Sequence, residues 1–204
     1  MKRYLIAALA LAAFVLPAQA NNIVDEWTSV KQPAAPQLKP VTVDPKTTAL
    51  LMLDFMNQNC AKRPRCVASV PAMKKLLEAA RAAKATVIYS IINNSTPADV
   101  IKDLAPQAGE GHVLGGPDKF LHTDLEKMLK DKGIKTVITV GTASNGAVFF
   151  VASGAAFRGM NIVVPVDGIS SIEAIAEYAT VLDFMTAPQV STKTTLTRSD
   201  MIKF

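Results

Sequence analysis

The sequence predicts an α/β protein: a single three-layer α/β/α sandwich around a mostly parallel sheet. Three observations carry this expectation. Short apolar runs suited to buried strands occur at residues 48–55 (TALLMLDF), 85–92 (ATVIYSII), 136–140 (TVITV) and 161–166. Segments with apolar side chains at helical spacing fall between and after them, at residues 70–84, 123–132, 146–158 and 171–185. The two patterns alternate along the chain, which puts helices on both faces of a parallel sheet. A length of 204 residues, 50% hydrophobic and 19% charged, suits one such core and excludes a disordered chain.

Ahead of these elements stands a leader. Residues 1–4 carry the basic Lys2 and Arg3, residues 5–16 form a twelve-residue apolar run, and Pro17-Ala18-Gln19-Ala20 ends small-x-small. This is the pattern of a signal peptide cleaved after Ala20, and twelve residues are too few to span a bilayer of about 30 Å. The mature chain is therefore expected in a bacterial periplasm or secreted, with no membrane attachment after cleavage. Residues 21–46 carry Pro33, Pro36, Pro40 and Pro45 without periodicity and read as an extended arm, anchored by Trp27, ahead of a domain at 47–204.

Within that domain, Pro71 marks a helix start and Thr123 caps the next helix, which Gly133 stops. Residues 93–118, rich in glycine, are expected to hold at most one short helix. Gly159 ends the third helix, and residues 189–191 read as a short last strand. The formal charge is +5, but without Lys2 and Arg3 it falls to 20 basic against 17 acidic residues. So slight an excess, with no basic stripe interleaved with aromatics, does not indicate nucleic acid.

Export bears on Cys60 and Cys66, which five residues separate. In an oxidising compartment the pair reads as a disulfide pinning a small loop. The alternative is a reactive thiol beside Lys62, Arg63 and Arg65. Two cysteines with His112 and His122, at no ligand-like spacing, make no metal site. The absence of a Gly-x-Gly-x-x-Gly or Walker pattern predicts no nucleotide cofactor.

Ligands of such sheets bind beyond the carboxyl ends of the strands. Asp54 ends the first strand, Lys119-Phe120 leads into the helix before the third, and the turn 141–145 ends the third and opens a helix. A carboxylate, an ammonium and a helix N-terminus there can do acid–base chemistry beside an anion site. Plainer readings stand beside these. A strand-end aspartate often serves a turn, and Lys119 by default is a solvated surface lysine. Asn145 suits an N-cap, Asp167 before Gly168 suits a turn, and His122 suits a surface position. Phe149, Phe150 and Phe157 suit a core or a subunit interface.

The segments Thr48-Ala-Leu-Leu-Met-Leu-Asp54, Lys119-Phe-Leu-His-Thr-Asp-Leu-Glu126 and Val140-Gly-Thr-Ala-Ser-Asn-Gly-Ala-Val148 resemble, in this order, those of the isochorismatase-like (cysteine hydrolase) superfamily. Residues 154–159 and 164–167 extend the likeness. The resemblance implies a flavodoxin-like fold, a homo-oligomer, a small-molecule substrate and, in most members, an Asp-Lys-Cys triad. Two departures stand out. The family's cysteine position is Ala147, which excludes a thioester there. Lys119 directly precedes Phe120, whereas the family lysine sits several residues earlier.

Isochorismatases proper, which cleave a vinyl ether, also lack the cysteine and use the aspartate as a general acid. The resemblance thus implies Asp54 and Lys119 as catalytic residues, with Asn145, Gly146, Ala147 and Phe120 around the substrate. Three functional readings remain: an exported hydrolase working through Asp54, a non-catalytic relative binding a small carboxylated ligand or a partner protein, and a hydrolase using Cys60 as nucleophile.

Overall fold

The computed structural model describes residues 22–204. The expected leader, residues 1–20, lies outside the described residues. The chain divides into two units, Met1–Ala35 and Pro36–Phe204. In the first, Asn22 Oδ1 accepts from the N–H groups of Val24 and Asp25, capping a single helical turn, α1 (Ile23–Glu26). Trp27, expected to be an anchor, is 75% exposed.

The second unit holds the sheet. Its first residues, expected to belong to an extended arm, form a small sheet of their own with the C-terminal residues: β1 (Val41–Thr42) pairs in parallel with β9 (Ile202–Lys203), and Val43 is buried. The main sheet contains β2 (Thr48–Leu53), β3 (Thr86–Ile91), β4 (Gly111–Leu114), β5 (Thr136–Thr142), β6 (Asn161–Pro165) and β8 (Thr194–Thr197), ordered β4-β3-β2-β5-β6-β8. The two-residue β7 (Ile169–Ser170) pairs with the end of β5. Every strand pairing in this sheet is parallel.

Side chains alternate across each strand, so β2 feeds two cores. Leu50 and Met52 pack under α2 (Pro64–Ala82), with Met73, Leu76 and Leu77. Ala49, Leu51 and Leu53 face α3 (Leu125–Asp131), α4 (Phe149–Phe157) and α5 (Ala174–Thr186). This is the expected three-layer sandwich. Because β2 sends its successors to one side and β5 lies on the other, the strand order reverses between β2 and β5. Their carboxyl ends open a crevice there.

Three expectations are corrected. Helix α2 begins at Pro64, not near Pro71. Pro64 offers the same N1 signal seven residues earlier, and the bond lost at Pro71 falls on the carbonyl of Val67, an exposed residue. Strand β4, within the stretch expected to be irregular, is a short edge strand whose glycine start hid its pattern. The last strand of the main sheet is Thr194–Thr197, not 189–191; its threonines lack the apolar signal by which buried strands are read, although Thr197 is fully buried. On α4, Phe149 packs against the core, while Phe150 and Phe157 are exposed.

Candidate active site

The site grows from the ends of β2 and β3. Leu53 of β2 pairs with Ser90 of β3, which places the Ser90 hydroxyl beside the next residue, Asp54. That hydroxyl accepts from the Asp54 N–H at 3.0 Å and donates to Asp54 Oδ1 at 2.6 Å. Asp54 takes a left-handed backbone conformation, φ 56°, which a short polar residue tolerates better than a bulky one. The chain thereby turns out of the strand with the carboxyl group in the crevice.

Lys119 reaches the same carboxyl group. Its Nζ lies 2.8 Å from Asp54 Oδ1 and donates to the Gly115 carbonyl at 3.0 Å, with no exposed surface on the residue. Its backbone is pinned on both sides. Asp118 accepts from the Phe120 N–H at 2.9 Å, and the Thr123 hydroxyl donates to the Lys119 carbonyl. Phe120 locks the register by packing on Gly154, where an added Cβ would stand 2.7 Å from the ring, and beneath Arg158 at 4.2 Å. Adjacency to Phe120 therefore does not keep Lys119 from the site.

Both Ser90 and Lys119 contact Oδ1, so Oδ2 is the oxygen left for a ligand. Burial pushes the Asp54 carboxyl above its ordinary value and outweighs four lowering influences: the charge of Lys119, its hydrogen bond, the Ser90 hydrogen bond, and the charge of Arg63. The cavity here is about 410 Å³ and is lined by Asp54, Lys119, Asn59, Arg63, Asn93, Thr142, Ala143, Gly146 and Ala147, with the backbone of residues 115–117. Arg63 donates to the Thr142 hydroxyl at 2.9 Å, and that hydroxyl donates to the Ser170 carbonyl at 3.1 Å. Among the described residues, no group of three His, Cys, Asp or Glu is placed to hold a metal ion.

Residues 48–197 match the Isochorismatase domain. The chain belongs to the isochorismatase family. That family comprises hydrolases, and solved structures share the fold. A cysteine hydrolase from Pseudomonas syringae pv. phaseolicola is 19% identical over 82% of this chain and 95% of its own, with TM-score 0.70. An isochorismatase-like hydrolase from Alkaliphilus metalliredigens is 23% identical over 76% and 95%, with TM-score 0.67. An N-carbamoylsarcosine amidase from Thermoplasma acidophilum is 23% identical over 76% and 97%, with TM-score 0.64. Comparison with curated proteins gives no match.

This isochorismatase-family site differs from the sequence expectation at the residues expected around a substrate. Ala147 and Gly146 line the cavity as expected, but Gly146 does not open a helix. Residues 144–148 form a wide turn broken at Gly146 (φ −128°, ψ −112°), and regular helix starts at Phe149. The Gly146 N–H is spent on the Ala143 carbonyl at 3.1 Å, so it is not available to an anion. Phe120 belongs to the core beneath α4 rather than to the cavity. Asn145 neither caps the helix nor lines the cavity; its Oδ1 accepts from the Ser171 hydroxyl at 2.9 Å.

Ser90, Arg63, Asn59, Asn93 and Thr142 were not expected around the site. For Ser90 a signal existed, since it is a small polar residue late in the apolar run of β3. For Arg63 none existed, because only the folded loop brings it to the crevice. Cys60 and Cys66 are bonded in the structure, with Cα atoms 5.2 Å apart, and no free cysteine remains among the described residues. This disfavours Cys60 as nucleophile. Replacing both cysteines by serine is expected to lower stability by about 2 kcal/mol on loop-closure entropy. Urea denaturation checks this, and an unchanged midpoint would contradict it.

Proposed function

We propose that this protein is an exported hydrolase of a small molecule that works by acid–base catalysis from Asp54, without a cysteine nucleophile. The observation that carries this reading is the buried Asp54–Lys119 pair on a cavity also lined by Ala147. By resemblance to the family, Ala147 holds the place of the nucleophilic sulfur. Its methyl group has no electron pair to attack a carbonyl, so no thioester forms.

An acid mechanism suits the groups that remain. Asp54 Oδ2, kept protonated further up the pH scale by burial, gives its proton to the carbon of an enol ether. Water then adds to the oxocarbenium ion. The hemiketal collapses to a carbonyl compound and an alcohol, and the proton released returns to Asp54. Lys119, bonded to Oδ1, holds the carboxyl group in one orientation and stabilises the carboxylate left after transfer. The leader pattern of residues 1–20 supports export.

The test is a turnover screen of the purified mature chain against isochorismate, other enol ethers, simple amides and carbamates, with Asp54→Asn alongside. An enol ether should be consumed, and Asp54→Asn should slow its turnover by about 10³-fold, within the range for a general acid. Equal turnover by the variant would refute the reading. Silence across the panel would favour a ligand-binding relative of the family.

A further inference from the structure

The described residues include five arginines, and four of them face a carboxylate. Arg65 is bonded to Glu177, Arg81 to Glu110, Arg158 to Glu126 and Arg198 to Asp200. Arg63 is the exception: it makes no salt bridge among the described residues and lines the cavity. One of its Nη1 hydrogens goes to the Thr142 hydroxyl, whose own proton is committed to the Ser170 carbonyl. Thr142 therefore orients the guanidinium without neutralising it, and the other N–H groups of its five remain for a ligand.

The charge around the cavity tells the same story. Its lining holds two cations, Lys119 and Arg63, and one carboxylate, Asp54. Lys119 spends its charge on Asp54 at 2.8 Å. An excess of one positive charge is left with Asp54 ionised, and two with Asp54 protonated. An anionic substrate would offset it, and the planar fork of a single uncommitted guanidinium matches a carboxylate in shape and charge.

The chain also holds Arg63 in place from both sides. It lies midway between Cys60 and Cys66, both fully buried, and its N–H donates to the Cys60 carbonyl at 2.9 Å. It is the residue that precedes α2, so neither its backbone nor the ring closed by the disulfide can move without disturbing the core under that helix.

We propose that Arg63 is the carboxylate-recognition residue of this site, held there by the Cys60–Cys66 bond, and that the substrate is a small molecule carrying a carboxylate. The proposal rests on the hydrolase reading only for the fate of the ligand, not for its binding. The carboxylate pairs with Arg63 while the reacting end of the molecule faces Asp54 Oδ2. Specificity thus comes from a guanidinium, and the disulfide preorganises it.

The test is binding at pH 7 of two acids, benzoate and pyruvate, each against its neutral amide, to the mature protein by ligand-observed NMR. At least one acid should bind about tenfold tighter than its amide, as a charge-assisted bidentate pair provides. Arg63→Gln should abolish that preference, Arg63→Lys should restore part of it, and the Cys60→Ser/Cys66→Ser pair should weaken the acid several-fold while leaving the amide unchanged.

No preference for either acid, a preference that survives Arg63→Gln, or tighter binding of inorganic phosphate than of either acid would overturn the proposal. The readout needs no turnover. A protein that prefers carboxylates but hydrolyses nothing would refute the hydrolase and keep Arg63, and an active enzyme without the preference would do the reverse.

Discussion

Lys119→Met is expected to destabilise the folded protein by about 3–5 kcal/mol at neutral pH, because it strands a buried carboxylate without its partner. The methionine keeps most of the volume, so the loss is electrostatic. Lys119 is fully buried and Asp54 is 5% exposed, which leaves little solvent to screen either charge. The cost should shrink as the solution is acidified, since a protonated Asp54 needs no counter-charge.

The sign follows from the direction of the Asp54 shift. Its folded-state pKa is raised above the ordinary 3.8 by burial, so the folded chain keeps the proton after the unfolded chain has lost it. The stability this lends is complete below the unfolded value and is lost as the pH rises through the raised one. Removing Lys119 takes away the largest of the influences that pull the pKa down, so the loss grows and extends to higher pH. Urea denaturation of wild type and variant between about pH 4 and 8 reads the difference directly. A penalty that does not depend on pH would show that Asp54 and Lys119 are not coupled as their 2.8 Å separation requires. The fall in turnover with rising pH, expected if Asp54 acts as the acid, should move to higher pH in the same variant.

Gly141→Ala should be the other large effect, costing more than about 3 kcal/mol and dragging Asp54 out of place. Gly141 sits at φ +140°, and an added Cβ would lie 1.9 Å from the Leu53 carbonyl oxygen and 2.7 Å from its carbon. Both obstacles are backbone atoms of the neighbouring strand, opposite Gly141 in the β2–β5 register, and cannot swing aside as a side chain can. Leu53 directly precedes Asp54, so any relief of the clash shifts the carboxyl group. Gly159→Ala is the control: φ there is +84°, but nothing lies within 4 Å of the added Cβ. It should cost about 1 kcal/mol from backbone strain alone. Thermal denaturation separates the two, and similar losses would contradict the steric account.

Most of the architecture is legible in the sequence because it rests on local signals. The apolar runs of β2, β3, β5 and β6 and the helical stripes between them reveal a parallel sheet covered on both faces. Asp54 and the turn after β5 could be placed at the crevice by strand polarity alone. Where local signals were weak or ambiguous, the reading failed: at β4, at the threonine-rich β8, and at Pro71, where two prolines gave the same start signal.

What the sequence by itself determined, then, is the layered α/β arrangement, the family resemblance, and the choice of Asp54 and Lys119, which the fold pairs at 2.8 Å. Each of these depends on residue type and order along the chain. The tertiary structure alone decided which atoms meet. It brought Lys119 to Asp54 across 65 positions and Ser90 to the same oxygen, left Arg63 without a carboxylate among the described residues, and sent Phe120 and Asn145 away from the cavity. Those outcomes depend on strand register and on competition for hydrogen-bond partners between segments far apart in the chain, which no local pattern encodes.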